Sequence, residues 1–438
     1  NAKGEQCAYV VLLRGQYGTR PAAFYWSRTR DEWLMKRFSQ SPFTIKKLML
    51  EQCMFIITNT DTNTKTHMLV HVDDMDVIAD ADADVKIIFE AMNDEWGLTI
   101  SDPDMMLGVQ RTVTEKDGER FLEMHMPNFV TDWYNEWAFK MEAAGTPMKK
   151  SAPATPFPEG EQFSVIGTEA FPRPSDAEIL EVQHDLQKFT GQGLWVSRMV
   201  MPDLLFACSQ HGRIASAGSK KVLTDVSTQM LRYAYSQRHR GIRFRSNGCK
   251  TLRASYDASD NPDPKDGKSM YGYSICLFDG PIVAVSKKSS KVGTSSTHNE
   301  FMALGEVAKA GVYISDLLVE MEFPECVDPE GMPAAGDNQT ATSQLGENRI
   351  TERNRFYLTD MHYVREIYEL GRLRPHWVMG AQNGADIYTK AVSRQVLLQL
   401  RDKETGYSDD PLPPPNMTLT PLDAVTAKLI CFCCKQNM

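Results

Sequence analysis

Four acids in the last third of the chain stand where carboxylates can do chemistry. Asp257 ends an apolar run in "LRASYDASD", and Glu300 lies in the first turns of a long helical pattern in "GTSSTHNEFMAL". Asp337 follows a short apolar run in "AAGDNQTA", and Asp386 starts the last helical pattern in "NGADIYTK". In an α/β layer, strand ends and helix starts open onto a common edge, so these four can meet. Carboxylates that converge can hold a pair of cations about 3.5–4 Å apart, one activating water and the other holding the leaving oxygen, which is the chemistry of a two-metal nuclease. Taken singly, each acid reads more simply as a helix N-cap or a surface charge.

A second acidic site lies in "MLVHVDDMDVIAD", residues 68–80. The run has the β-branched, apolar character of a buried strand pair, yet it carries Asp73, Asp74, Asp76 and Asp80. Strands deplete aspartate, and a buried unpaired carboxylate costs several kcal/mol or shifts its pKa until it is neutral. Asp73 and Asp74 at a hairpin tip are cheap if a cation meets them, and Mg²⁺, which takes hard oxygen ligands, is the strongest candidate. A plain turn built on Asp-Asp is the simpler alternative.

The elements that must position these acids follow from pattern. At 438 residues, 42% hydrophobic and 24% charged, the chain is of ordinary globular composition and long enough for roughly three domains. Apolar runs fall short of the ~18 residues of a membrane span. An opening on Asn1 suggests a piece of a longer polypeptide, and nine scattered cysteines fit a reducing, intracellular setting. A hairpin is expected over 68–80, a helix over 83–96 and a second hairpin turning at "EKDGE". A linker is expected over 146–162 and helices over 176–238. From 251 come strands 251–257, "MYGYSICLF" and "PIVAVSKK", then a helix from Thr297 to Met321 with Ser296 or Thr297 as N-cap. A short strand at "AAGDNQ", a helix over 359–371, a strand at "PHWVMG" and a helix from Ala385 complete the pattern.

The net charge of −9 argues against a nucleic-acid partner, but its distribution argues the other way. Residues 1–50 hold nine basic side chains against three acids, and 226–256 hold seven, Arg238 and Arg240 among them, with no acid and with Tyr233, Tyr235 and Phe244 interleaved. Such tracts suit phosphate neutralisation and base or sugar contact, although a solvated helix face reads the same way. Lys287, Lys288 and Lys291 lie between the strands and the long helix, where they can meet the backbone of a hybrid duplex, although protein surfaces carry such triplets routinely.

Motif order adds a resemblance. "LVHVDDMDVIA" resembles the "YVDDM" hairpin of reverse transcriptases of copia-type retrotransposons, and "LRGQYGTRPAAFYWSRTRDEWL" resembles that family's "ALYGLKQAPRAWY" block. "FEAMNDEWGLTISDPDMMLGVQRTV" resembles its "FEMKDLG…FLGIEI". The last third resembles the family's ribonuclease H domain: "YDASDNPDPKDGKSMYGY", "VAVSKKSSKVGTSSTHNEFMAL", "DNQTA", "HYVRE" and "GADIYTK" stand where it has "SDADWAGD…RKSTSGY", "ISWSSKKQ…LSSTEAEYIAL", "DNQSA", "HFVRE" and "LADILTK". The likeness runs from about residue 8 to 395.

The resemblance implies an α/β and α+β multidomain chain: an incomplete reverse-transcriptase palm (1–148), a helical thumb or connection segment (149–245), a ribonuclease H-like mixed-sheet domain (246–395) and a proline-rich tail (396–438). Carried over residue by residue, Asp257, Glu300, Asp337 and Asp386 are metal ligands of the nuclease, with two Mg²⁺ or Mn²⁺ ions per site. His362 is a site-edge residue, and Asp73 and Asp74 are the palm's metal ligands. Arg14, Tyr17, Gly18 and Arg20 match a nucleic-acid-binding block, and Leu107–Gly108 the primer-gripping hairpin. Implied partners are an RNA–DNA hybrid, primer-template, dNTP and the rest of the Pol polyprotein, with no membrane, in a cytoplasmic virus-like particle or the nucleus. His71 stands where the family has Tyr, His298 replaces the first Glu of "STEAE", and the palm strand bearing the earlier catalytic aspartate precedes this chain. Polymerisation is therefore expected only of a longer protein. A catalytically inactive nucleic-acid-binding remnant is the alternative reading.

Overall fold

The computed structural model describes residues 20–99, 104–149, 151–159, 176–214, 220–260, 263, 266–346, 350–352 and 354–407. The chain divides into two compact units, 1–101 and 102–438.

The first unit contains helix α1 (Arg20–Arg37), strands β1 (Phe43–Lys47), β2 (Met54–Asn59), β3 (Thr64–His71) and β4 (Asp74–Ala79), and helix α2 (Asp82–Trp96). The four strands form an antiparallel meander in sequence order. Along β3, Thr66, Met68 and Val70 are buried while Leu69 and His71 are exposed, the period-2 pattern of a sheet with one covered face. Leu34, Phe38, Phe55, Ile57 and Ile88 share that core. Gly97, at φ +65°, ends α2 in the left-handed conformation and donates its N–H to the Asn93 carbonyl.

The second unit opens with β5 (Met105–Met106), β6 (Val109–Lys116) and β7 (Glu119–His125). The β6–β7 hairpin turns at Asp117–Gly118, both at positive φ, as its "EKDGE" sequence predicts. Helices α3 (Pro127–Ala143), α4 (Asp176–Met199), α5 (Leu205–Ile214) and α6 (Lys220–Ser236) follow, and β8 (Ile242–Arg245) returns to pair with β7. Next come β9 (Arg253–Ala258), β10 (Met270–Leu277), β11 (Gly280–Lys288), α7 (Ser296–Glu320), β12 (Met332–Gly336), α8 (Gln339–Gly346), α9 (Leu358–Glu369) and β13 (Leu373–Trp377), then α10 (Asp386–Thr389) and α11 (Arg394–Glu404). Strands β9–β13 form one mixed sheet in the order β11-β10-β9-β12-β13; β10 runs antiparallel to both neighbours, while β9, β12 and β13 are parallel. Helix α7 packs on this sheet with Phe301, Leu304 and Val307 buried against Tyr256, Ile275 and Ala334. The mixed α/β arrangement agrees with the ribonuclease H-like layout implied by the sequence.

Three expectations need revision. The N-cap of α7 is Ser295, one residue earlier than expected, whose side chain accepts from the His298 N–H at 3.1 Å. The stretch 146–162 is not uniformly exposed: Phe157 is buried, edge-on to Phe206. The fold also continues past residue 395. Helix α11 buries Leu397 and Leu400 in the core that also holds Val196, Phe206 and Tyr233, so the helical segment and the end of the last domain share one hydrophobic interior. The "CFCC" tail lies outside the described residues, as do Arg14, Tyr17 and Gly18. Among the described residues no helix is long and apolar enough to cross a membrane, and Cys53, Cys208, Cys249, Cys276 and Cys326 are free.

Candidate metal centre

Each of the four acids in the second unit is delivered by a different element. Asp257 is the fifth residue of β9, 1% exposed, and Glu300 sits in the second turn of α7, 4% exposed. Asp337 follows β12, and Asp386 begins α10. Parallel β9 and β12 end on the same side of the sheet, which brings Asp257 and Asp337 together beneath the start of α7. One ligand oxygen from each of Asp257, Glu300 and Asp337 lies within 4.8 Å of the others. Glu300 accepts from the backbone N–H of Ala258, while its Oε2 is buried with no hydrogen-bond partner among the described residues.

Asp386 joins the trio through a cation of the chain itself. Lys390 Nζ lies 2.8 Å from Asp386 Oδ1 and 3.4 Å from Asp257 Oδ1, and the Thr389 hydroxyl donates to Asp257 Oδ2. Helix α10 reaches this position because β10 carries Gly272 opposite Asp257. A Cβ there would lie 2.4 Å from Tyr388 Cβ and 3.1 Å from Thr389 Cγ2. Buried Asn383 fixes the approach to α10, donating from Nδ2 to the Tyr256 carbonyl at 3.0 Å and accepting from the Ala385 N–H at 3.2 Å. On the far side, the indole of Trp377, 48% exposed, donates to the Asp337 carbonyl at 3.1 Å.

The electrostatics follow from crowding like charges in a dry place. Burial first, and the charges of Asp257 and Asp337 second, hold the Glu300 carboxyl well above its ordinary pKa. Asp337 is raised by burial and by Asp257, and Asp386 is pushed up to about 6 by the same two causes. Burial alone would lower the Lys390 ammonium, but the surrounding carboxylates more than reverse it, so its pKa is raised. The site holds more negative charge than its own side chains neutralise.

The remaining expected residues fall in different surroundings. His362 is exposed on α9. Lys287 is exposed at the end of β11, whereas Lys288 pairs with Asp263 and, at 2.7 Å, with Asp266. Arg238 lies over the Tyr235 ring, and Arg240 pairs with Asp402 at 2.5 Å. The basic tract is largely neutralised from elsewhere: Arg243 meets Glu123 at 2.5 Å, Arg245 meets Glu119 at 3.0 Å and Arg253 meets Asp279 at 2.5 Å. Leu107 and Gly108, at φ +52° and +79°, form the β5–β6 turn, and Arg20 begins α1. The sequence reading passed over Lys390, Thr389 and Trp377; "DIYTK" carried the i,i+4 spacing of Asp386 and Lys390 that marks the pair.

In the first unit Asp73 and Asp74 are exposed at the tip of β3–β4, so the penalty inferred from a buried run does not arise. Val72, the first turn residue, sits at φ +59°, a conformation that β-branched side chains rarely adopt. Its carbonyl accepts from Trp26 Nε1 at 2.6 Å and from Arg30 at 3.3 Å, contacts that hold the strained turn in place. The grouping of three acids found among the described residues is the one in the second unit.

No family model matches the chain. Over 202 residues it is 26% identical to the retrovirus-related Pol polyprotein from transposon RE1 of Arabidopsis thaliana, and over 166 residues 29% identical to that from transposon RE2 of the same plant. These alignments cover 46% and 38% of this chain but 14% and 11% of the relatives' lengths. Over 87 residues it is 33% identical to the secreted RxLR effector protein 161 of Plasmopara viticola, covering 20% of this chain and 61% of that protein. Among solved structures, the RNase H1 of Halobacterium salinarum NRC-1 aligns with 34% of this chain and 98% of its own, at 16% identity and a TM-score of 0.25. LC11-RNase H1 in complex with RNA/DNA hybrid aligns with the same shares at 15% identity and a TM-score of 0.23. By its similarity to RE1 and RE2 and by the order of its motifs, the chain is related to a segment of the retrovirus-related Pol polyproteins of transposons.

Proposed function

We propose that the second unit is a metal-dependent ribonuclease H that hydrolyses the RNA strand of RNA–DNA hybrids, and that Asp257, Glu300 and Asp337 hold its divalent cation, Mg²⁺ with Mn²⁺ as an alternative. The observation that carries this reading is the convergence of the three carboxylates within 4.8 Å, with Glu300 Oε2 buried and unpartnered. The donor set is all hard oxygen, which suits these ions, and the raised carboxyl pKa values express a site short of positive charge. A bound cation would supply Lewis-acid polarisation of phosphoryl oxygen and a lowered pKa of bound water. The chain's own groups do the positioning. Thr389 orients Asp257, the Ala258 N–H orients Glu300, and α8 and β13 flank Asp337. The half-exposed indole of Trp377, beside Asp337, offers a π-face for a sugar or base of the hybrid. Selection of RNA would rest on the 2′-OH and duplex shape.

The test is cleavage of an end-labelled RNA–DNA hybrid by the full chain in Mg²⁺, Mn²⁺ and EDTA. Outer-shell changes at metal sites cost ~10–100-fold, so Asp257→Asn and Asp337→Asn, which remove a ligand oxygen's charge, are expected to lose at least that much. Cleavage that survives both variants, or that persists in EDTA, contradicts the assignment. Salt-sensitive hybrid binding without cleavage would instead mark a catalytically inactive remnant.

The first unit carries a second reading, drawn from Asp73 and Asp74 on a turn held by Trp26 and Arg30. We propose that it is part of a reverse-transcriptase palm, continued by the primer-grip hairpin up to residue 148, that acts on primer-template and dNTP only within a longer Pol polyprotein, with residues 149–245 supplying the thumb-like part. A virus-like particle or the nucleus is the setting this implies.

A further inference from the structure

The first turns of α7 carry Glu300, and a buried histidine anchors them from the opposite side. His298 and Glu300 are both 4% exposed, yet two residues apart on a helix of 3.6 residues per turn they point in nearly opposite directions. Glu300 meets the Ala258 N–H at the end of β9. His298 turns instead to the loop before α7 and to α9. Its Nδ1 accepts from the Thr294 backbone N–H at 3.0 Å, a group that can only donate, so the ring proton sits on Nε2 and is donated to Asp360 Oδ2 at 3.0 Å. The ring also stacks on Tyr357, with centroids 5.2 Å and planes 18° apart. Asp360 is held in turn by Lys291 of that same loop, whose Nζ lies 2.7 Å from each carboxylate oxygen. The start of α7 is thus closed twice. Ser295 Oγ accepts from the His298 N–H, and the His298 ring reaches back to Thr294, much as the Glu or Gln of a capping box reaches back to its N-cap. The Glu that copia-type relatives carry at this position would set a second carboxylate against Asp360.

We infer that His298 is a positioning residue of the metal centre: by tying the start of α7 to Asp360 of α9, it holds Glu300 where Asp257 and Asp337 converge. The inference rests on the metal-site reading above and adds α9, through Asp360, to the elements that build the site. A local cap steadies the first turn against fraying. The link to Asp360, 62 residues away in sequence, also fixes where that turn lies, because it anchors one helix to another.

The experiment measures Mn²⁺ affinity of the metal-free full chain by calorimetry, at a temperature well below the melting of every variant compared. Binding that is lost in Asp257→Asn belongs to this centre, which separates it from any binding near Asp73 and Asp74. Outer-shell partners at metal sites contribute ~10–100-fold to affinity, so His298→Ala is expected to weaken the Asp257-dependent binding by roughly 10-fold or more. In cleavage assays the same variant should lose kcat with little change in KM for the hybrid. His298→Glu keeps an acceptor for Thr294 but faces Asp360, and is expected to weaken binding as well. Adding Asp360→Asn to His298→Glu should restore most of that loss, a rescue that a general loss of stability would not give. Should His298→Ala fail to fold, Asp360→Ala breaks the same link from α9 and is expected to show the same loss. Affinities equal to the wild type in these variants, or a loss in His298→Glu that Asp360→Asn leaves untouched, overturn the inference while leaving the nuclease reading intact. No Asp257-dependent binding in the wild type overturns both.

Discussion

Glu300, Asp337 and Asp386 are held at elevated proton affinity by burial and by neighbouring carboxylates, and that has a definite consequence for stability. Asp386 stands at about 6 in the folded chain against an ordinary value of 3.8, and Glu300 and Asp337 are raised as well. The folded, cation-free protein therefore binds more protons than the unfolded chain in this window. Its stability falls as pH rises from about 4 to about 6 and stays lowered at neutrality. Divalent metal should reverse that loss, so Mg²⁺ is expected to raise the melting temperature more at neutral pH than at pH ~5. Thermal denaturation across this range, with EDTA or Mg²⁺, checks both statements, and Asp386→Asn should flatten the EDTA profile. A wild-type melting temperature that climbs through the same window relative to Asp386→Asn would contradict the picture.

At the scale of elements, two contacts decide whether α10 and α11 deliver their residues. Gly272→Ala places a methyl against Tyr388 and Thr389, and overpacking of this kind costs about 1–3 kcal/mol. Because Asp386 and Thr389 lie on the displaced helix and Lys390 directly follows it, a weaker Mn²⁺ affinity is expected along with the lower stability; titration of the variant would show it, and unchanged affinity would mean α10 does not build the site. Glu404, at the end of α11, is fully buried. Its carboxyl accepts from Ser255 Oγ at 3.3 Å and Tyr388 Oη at 3.3 Å, as well as from Ser274 Oγ, and burial pushes its pKa up. A group that the fold prefers neutral tolerates an amide. Glu404→Gln is expected within about 1 kcal/mol of the wild type, whereas Glu404→Ala strands three hydroxyls over a cavity and should cost about 2–4 kcal/mol. Chemical denaturation of the two variants separates these outcomes.

For the second unit as a whole, the shared core sets the boundary. Leu397 and Leu400 are buried with Val196, Phe206 and Tyr233, and burying a leucine contributes ~1.5–3 kcal/mol. A chain ending at residue 395 is therefore expected to lose cooperative unfolding or solubility, while one ending at 407 keeps both; equal melting of the two would show that α11 is dispensable. Much of this architecture was legible in the sequence. The "EKDGE" turn, the span of α7 and the alternation of β3 follow from local chemistry: glycine and aspartate at positive φ, and apolar residues at period 3.6 or 2. The placement of Ser295 as N-cap differed by one residue because several hydroxyls in "GTSST" compete for that position. The basic tract at 226–256 misled more seriously, since Glu119, Glu123, Asp279 and Asp402, the acids that neutralise it, lie 26 to 162 residues away along the chain.

Residue types and their order were enough to single out Asp257, Glu300, Asp337 and Asp386 and to assign them to strand ends and helix starts, because those features are encoded within a few residues of each acid. Only the tertiary structure decided that three of them close into one cluster while the fourth is bridged by Lys390. Distances between β9, α7, β12 and α10 are set by sheet register and by the missing Cβ of Gly272, and neither can be read from local sequence.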